Sequence, residues 1–187
     1  MADFTLHDKT TDNDERRATL ATVEENYGFI PNLFAGLAEA PATVRGYMAL
    51  SKEVGQSSFS PTERHVAWFA VNYFHNCHYC MPAHAAMAKM EKIDDAVIEA
   101  ARSGGGYNNK HLQILHDFVT EMTAHRGNID EKRIDQFLDA GFTRQHVLEI
   151  VLIIAHKTIS NYANHLLQTP VDDRFAAFAW QKDALRR

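Results

Sequence analysis

The stretch Ser60-Pro61-Thr62-Glu63, followed by Val66, Trp68, Phe69, Ala70, Val71, Tyr73 and Phe74, does most to limit what this chain can become. A serine N-cap, a proline at the first helical position and a glutamate three residues after the cap together mark a helix start. The helix they launch is apolar nearly all round. Such a helix is stable only when neighbours cover every face, so the chain must wrap other elements around residues 61–74.

Those other elements also read as helices. Leu20, Val23 and Tyr27 give a short amphipathic helix over residues 14–27, stopped by Gly28. Leu33, Phe34, Leu37 and Ala38 follow helical spacing, and Pro41 opens the next helix, which runs to about Val54. Further helices are predicted over 94–102, over 108–125, from Asp130 to Ala140, and from Arg144 to about Leu167. The first half of the last one is almost continuously apolar, which places it at the centre of a bundle. Thr169-Pro170 stops it, and a short C-terminal helix follows with Phe175, Phe178, Ala179 and Trp180 as an apolar patch. No alternating strand pattern and no linker is present. The predicted fold is all-α, a single domain over 1–187 with its core over 14–180 and a loose end over 1–12. With 187 residues, 45% of them hydrophobic, the chain can bury a sizeable core.

The buried helix delivers the chain to Cys77-His78-Tyr79-Cys80-Met81-Pro82-Ala83-His84, which holds both cysteines of the protein. If this stretch opens a helix at Cys77, Cys80 falls at about 300° and His84 at about 340° around its axis. Two thiols and an imidazole then share one face. Cysteines three apart can close a disulfide, and a histidine one turn on can exchange protons with the second. A helix start lowers a thiol's pKa, an effect expected to be largest at Cys77. The reading is a dithiol redox site. With His75 or His78 the same residues could instead ligate zinc. Glu63 and His65 are candidate relay partners about 200° apart on their helix, so only one of the two can face the thiols. Tyr79 reads mainly as a packing residue. Lys157, Asn161 and His165, with Asn164 beside them, read as the solvated or subunit-facing end of a core helix.

Charge and composition narrow the function classes. The net charge of −5 carries no basic stripe, which argues against a nucleic-acid partner. No apolar run reaches the ~18 residues of a membrane span, and the first residues lack a signal-peptide pattern, so a cytoplasmic protein is expected. Paired cysteines there suggest catalytic thiols. No haem, flavin or nucleotide motif occurs, and Gly104-Gly105-Gly106 reads as a turn between helices. No cofactor is expected.

These residues resemble the carboxymuconolactone decarboxylase / AhpD-like alkylhydroperoxidase superfamily, and within it the subgroup called peroxidase-related. The resemblance rests on Ser60-Pro61-Thr62-Glu63-Arg64-His65, Phe69-Ala70-Val71, Cys77-His78-Tyr79-Cys80 and Ala83-His84. It extends to Gly28 through Phe34 and to Lys157 through Pro170, so it spans roughly residues 27–180. It implies an all-α bundle forming homo-oligomers, often trimers or hexamers. Cys77 would be the resolving thiol, Cys80 the peroxidatic one and His84 the proton relay. The implied activity is reduction of a hydroperoxide, with an external dithiol as reductant. Two positions depart from the pattern. The relay glutamate expected twelve residues before the first cysteine is His65 here, with Glu63 two places earlier, and the histidine before the second cysteine is Tyr79. A decarboxylase-like lyase and a zinc-binding or redox-sensing module are the alternative readings.

Overall fold

The computed structural model describes residues 4–182, and all the regular structure among them is helical. The helices are α1 (Asp14–Tyr27), α2 (Asn32–Leu37), α3 (Pro41–Gly55), α4 (Pro61–Phe74), α5 (Cys80–Met90), α6 (Asp95–Arg102), α7 (Lys110–Ala124), α8 (Glu131–Asp139) and α9 (Arg144–Leu167). A 3₁₀ segment, Asp173–Phe178, is the last element among the described residues. No helix among the described residues is long and apolar enough to cross a membrane.

The α4 start behaves as its sequence requires. Ser60 Oγ accepts from the Glu63 N–H, and the Glu63 carboxylate accepts from the Ser60 N–H at 2.8 Å. All eight residues from His65 to Asn72 are buried, and α4 packs against α7, α9, α5 and α6.

Two apolar clusters make up the core. The larger joins α4, α7, α8 and the first half of α9 through Phe69, Phe118, Phe137, Ile150 and Ile153. The smaller gathers Leu20, Phe34, Val44 and Tyr47 of α1–α3 around Cys77, Tyr79 and Cys80. The cysteine pair therefore lies on the seam between the clusters, since Met81 and Ala85 of the same helix belong to the larger one.

One sequence expectation changes. Of the segment 1–12 read as loose, residues 1–3 lie outside the described residues. The rest is tied down: the His7 N–H donates to the Ala35 carbonyl at 3.0 Å, and the His7 ring pairs with Glu39 at 2.6 Å. The glycine turn is tight as well as irregular. Gly104 has φ +83°, and a Cβ there would lie 2.3 Å from the Tyr73 ring, so only glycine fits.

Candidate active site

The site starts from the way α4 ends. His75 is the C-cap and Asn76 takes a left-handed φ of 53°. The Asn76 N–H donates to the Tyr73 carbonyl at 3.1 Å, and the Cys77 N–H to the Asn72 carbonyl at 3.0 Å. These two bonds form a Schellman motif, which satisfies the last carbonyls of α4 and swings the chain back into the core. Cys77 is the first residue beyond that turn and is fully buried. One further turn leads into α5, whose first residue is Cys80 and not Cys77. Pro82 is tolerated because it sits in the first turn, where an N–H has no helical partner. The unpaired N–H groups and dipole of α5 therefore favour charge at Cys80, which corrects the expectation that Cys77 would gain most.

The two sulfurs lie 2.6 Å apart with both cysteines free. Asn161 Nδ2 and Asn164 Nδ2, from α9, donate to Cys80 Sγ at 3.0 and 3.3 Å. Asn161 also donates to Asn72 Oδ1 on α4 at 2.9 Å, which fixes its orientation. The Cys77 sulfur accepts from the Cys80 backbone N–H at 3.3 Å. Two amide donors from α9 thus converge on the Cys80 sulfur.

Lys157 completes the site. It is buried to 1% exposure, and its Nζ donates to His84 Nε2 at 2.9 Å. That bond requires an unprotonated Nε2, so neutral His84 carries its hydrogen on Nδ1. Burial alone would push the Lys157 pKa down. The nearby Tyr47, Cys80 and Cys77, with a Tyr47 hydrogen bond, outweigh burial and hold it above the ordinary value. No carboxylate is among the groups that support this charge. Burial likewise opposes a Cys80 thiolate. The Cys77 hydrogen bond, the Lys157 charge and the two asparagines overcome it and lower the Cys80 pKa to about 6. Cys77 moves the other way, because its hydrogen bond to Cys80, its burial and the Cys80 charge all favour the thiol. His84 is held well below the ordinary imidazole range by burial first, then by Lys157, His65 and His156. Cys80 as thiolate beside a lysine ammonium, with Cys77 and His84 neutral, is the resting state these environments favour.

Cys77 and Cys80 meet through their sulfurs, although the helix expected to open at Cys77 opens at Cys80, and Cys80 and His84 line one cavity. Of the two candidate relay residues, His65 is the one on this side. Its ring stands edge-on to the His84 ring with centroids 6.4 Å apart, and its Nε2 lies 3.3 Å from the exposed Glu91 carboxylate. Burial lowers the His65 pKa, and Glu91 partly offsets the shift. Glu63 faces elsewhere: beyond its capping bonds, it accepts from His111 at 2.9 Å on α7. Tyr79 both packs and bonds, its O–H donating to Asp172 Oδ2 at 2.6 Å while its oxygen accepts from the Leu33 N–H. His78 bonds the Thr169 carbonyl at 3.0 Å, and His75 stacks edge-on against Tyr162. Among the described residues no group of three or more His, Cys, Asp or Glu side chains is placed to hold a metal ion.

Lys157, Asn161 and Asn164 are the residues sequence reasoning misplaced on a solvated end. All three are buried against Cys80 or His84. The signal lay in their register: Ile150, Lys157 and Asn164 are seven apart, so the polar residues continue the buried apolar stripe of α9. His165 lies off that stripe and is only partly buried.

A cavity of about 200 Å³ opens onto the site, lined by Cys80, His84 and Lys157 on one side. Its other walls are mostly rings, among them Phe29, Phe34, Tyr47, Trp68, Tyr79 and Phe175.

Comparison with known proteins agrees with this architecture. Residues 41–107 match the model of the carboxymuconolactone decarboxylase family. No curated protein matches the chain. Among solved structures, the chain is similar to an AhpD-core, uncharacterized peroxidase-related protein from Ralstonia eutropha JMP134, with a TM-score of 0.79 and 22% identity over 92% of this chain and 93% of that one. It is similar to an uncharacterized peroxidase-related protein from Silicibacter sp. TM1040, with a TM-score of 0.75 and 20% identity over 91% and 93%. It is also similar to the debrominase Bmp8 bound to 2,3,4-tribromopyrrole, with a TM-score of 0.72 and 18% identity over 95% of each chain. The matched segment 41–107 contains the α4 capping box, the Schellman turn and the paired cysteines, so this part of the chain is similar to the carboxymuconolactone decarboxylase family, and the helical fold around it is shared with AhpD-like structures over nine-tenths of the chain.

Proposed function

We propose that the protein is a thiol-dependent hydroperoxide reductase, with Cys80 as the attacking thiolate, Cys77 as the resolving thiol and the Lys157–His84 pair as the proton source. The buried Lys157 ammonium carries this reading. A buried cation without a carboxylate partner is costly, and the groups that support it are Tyr47 and the two cysteines, of which Cys80 is the thiol whose pKa the cation helps to lower.

The chemistry balances within the site. The Cys80 thiolate attacks the terminal oxygen of the hydroperoxide, the O–O bond breaks, and Cys80 becomes a sulfenic acid. The alkoxide leaves with a proton from Lys157, directly or through His84, and departs as the alcohol. Cys77 then attacks the Cys80 sulfur. The S–O bond breaks, the leaving hydroxide takes the Cys77 proton to form water, and a disulfide results. One hydroperoxide and two thiol-level sulfurs thus give an alcohol, water and a disulfide. An external dithiol resets the pair, returning one hydrogen to Cys77 and one proton to Lys157. His65, with Glu91 at the surface, is the route by which the buried pair equilibrates with solvent. Glu63 serves the α4 cap.

The lyase alternative has no use for a matched thiol pair, and the zinc alternative needs His75 or His78 turned toward the sulfurs. Self-association fits an exposed apolar stripe on α9, where Leu148, Val151, Tyr162 and Leu166 share one face; light scattering would read an oligomer mass, or a monomer if the stripe is unpartnered.

Steady-state turnover of a hydroperoxide with a dithiol donor tests the reading. Cys80→Ser is expected to abolish turnover. Cys77→Ser is expected to stop after one event with one added oxygen on Cys80. Full turnover by Cys80→Ser would refute it.

The ring-lined cavity favours a second substrate chemistry for the same dithiol. The Cys80 thiolate could take a halogen from an aryl halide, with Lys157 protonating the ring carbon and Cys77 expelling halide as the disulfide forms. Halide release from 2,3,4-tribromopyrrole, one per disulfide, distinguishes it from peroxide reduction.

A further inference from the structure

We infer that the cavity beside Cys80 selects a hydroperoxide carried on a single compact aromatic ring, over hydrogen peroxide and over long-chain lipid hydroperoxides. The inference deepens the hydroperoxide reading and rests on it for the reacting group, while the ring site itself rests only on the cavity.

Size comes first. Pockets for drug-sized ligands hold about 300–1,000 Å³. The cavity, at about 200 Å³, falls below that range and suits one ring with small substituents. An extended acyl chain would have to leave most of its length outside.

The walls give the second argument. The Phe34 and Tyr47 rings meet edge-on at 5.6 Å, and Tyr47 stacks on His156 at 4.4 Å. Trp68 lies 5.0 Å from the His84 ring, and Phe175 lies edge-on to both Phe29 and Tyr79 at 6.2 and 6.3 Å. Each ring is held by another, so the cavity has a fixed shape that offers faces and edges to a flat guest. Met87 and Met90 stand among the lining residues with Met90 largely exposed, so the rim is apolar and adaptable.

Unspent polar groups give the third. Trp68 Nε1, His84 Nδ1 and both ring nitrogens of His156 are buried without a partner, and all three residues line the cavity. His156 is kept neutral by burial and by Lys157, with its pKa lowered to about 2. These groups can hold the oxygen of a ring-borne substituent while the ring occupies the apolar part. Hydrogen peroxide can use the polar groups but none of the walls. Burying a phenyl group removes on the order of 100 Å² of apolar surface from water, which corresponds to a rate advantage of roughly a hundredfold.

The test compares hydroperoxides of similar intrinsic reactivity and adds a binding arm that needs no chemistry. Oxidation of the Cys77–Cys80 pair in the wild-type protein is timed with cumene hydroperoxide, tert-butyl hydroperoxide, hydrogen peroxide and linoleic acid hydroperoxide. Binding of cumyl alcohol, the unreactive product, to Cys80→Ser is followed by ligand-observed NMR. The expected result is a second-order rate for cumene hydroperoxide at least thirtyfold above the other three, with saturable cumyl alcohol binding. Equal rates without alcohol binding, or a faster linoleic acid hydroperoxide, would overturn the inference and leave the hydroperoxide reading standing. Oxidation by none of the four with alcohol binding retained would refute the hydroperoxide reading and keep the ring site. Neither oxidation nor binding would refute both.

Discussion

Replacing Lys157 with methionine removes the buried positive charge of the site, which no carboxylate supports. Methionine fills a similar volume, so the helices need not move. The lowering of Cys80 from 9.0 to about 6 corresponds to roughly 4 kcal/mol in favour of the thiolate. Lys157 stands second among the groups that produce it, after the Cys77 hydrogen bond and ahead of the asparagines. Losing a third to two thirds of that lowering would raise the Cys80 pKa to about 7–8. At neutral pH the thiolate fraction would fall from about nine-tenths to between a half and a tenth, with a matching fall in the rate of attack on hydroperoxide. Raising the pH by two units should restore most of the rate that the smaller thiolate fraction removes. The assay is the ultraviolet thiolate absorbance of both proteins across pH, paired with stopped-flow oxidation. A variant whose first thiol still titrates near 6 would refute the assignment of Lys157 as the counter-ion.

Other expectations follow from the same contacts. Wild-type oxidation should rise with pH through an inflection near 6 and then level off; an inflection at the ordinary thiol value would contradict the Cys80 environment. Thermal stability should increase with pH from about 4 to about 9. Between about 6 and 9 the unfolded chain binds the proton that native Cys80 lacks, and below 6.5 it binds those that neutral His84 and His156 refuse. Each such group contributes up to about 1.4 kcal/mol per pH unit within its window, so a melting temperature that peaks near pH 5 would break this account. Glu63→Ala should cost about 1 kcal/mol through the α4 cap, measured by denaturant unfolding, with the Cys80 titration unmoved. Tyr79→Phe should cost about 1–3 kcal/mol because it removes a hydrogen bond to the buried Asp172 carboxylate, which keeps only the Asn32 N–H, and takes the acceptor from the Leu33 N–H; the same unfolding assay reads it.

How far the sequence could be read differs between scaffold and site. The capping box, the apolar run of α4 and the turn residues between helices act locally, so the all-helical fold and most helix limits could be read directly. The start of α5 could not, because it depends on Asn76 adopting a left-handed conformation and on a carbonyl five residues back. Cys77, Cys80 and His84 were legible because they lie within one short segment. Lys157, Asn161 and Asn164 were not, because polar residues late in a helix ordinarily face water. Their burial comes from helices α4 and α5, which are distant in the sequence. Register along the Ile150 stripe was the available clue. Glu91 was beyond reach for the same reason: it meets His65 only once the end of α5 folds back over α4.

The central claim is that Cys80 and Cys77 form a disulfide at the expense of a hydroperoxide. Intact mass and free-thiol titration of the purified protein, before and after one equivalent of cumene hydroperoxide, address it most directly. The account predicts that both free thiols disappear and that the mass falls by two hydrogens, with no oxygen retained. Two thiols unchanged after prolonged exposure would contradict it.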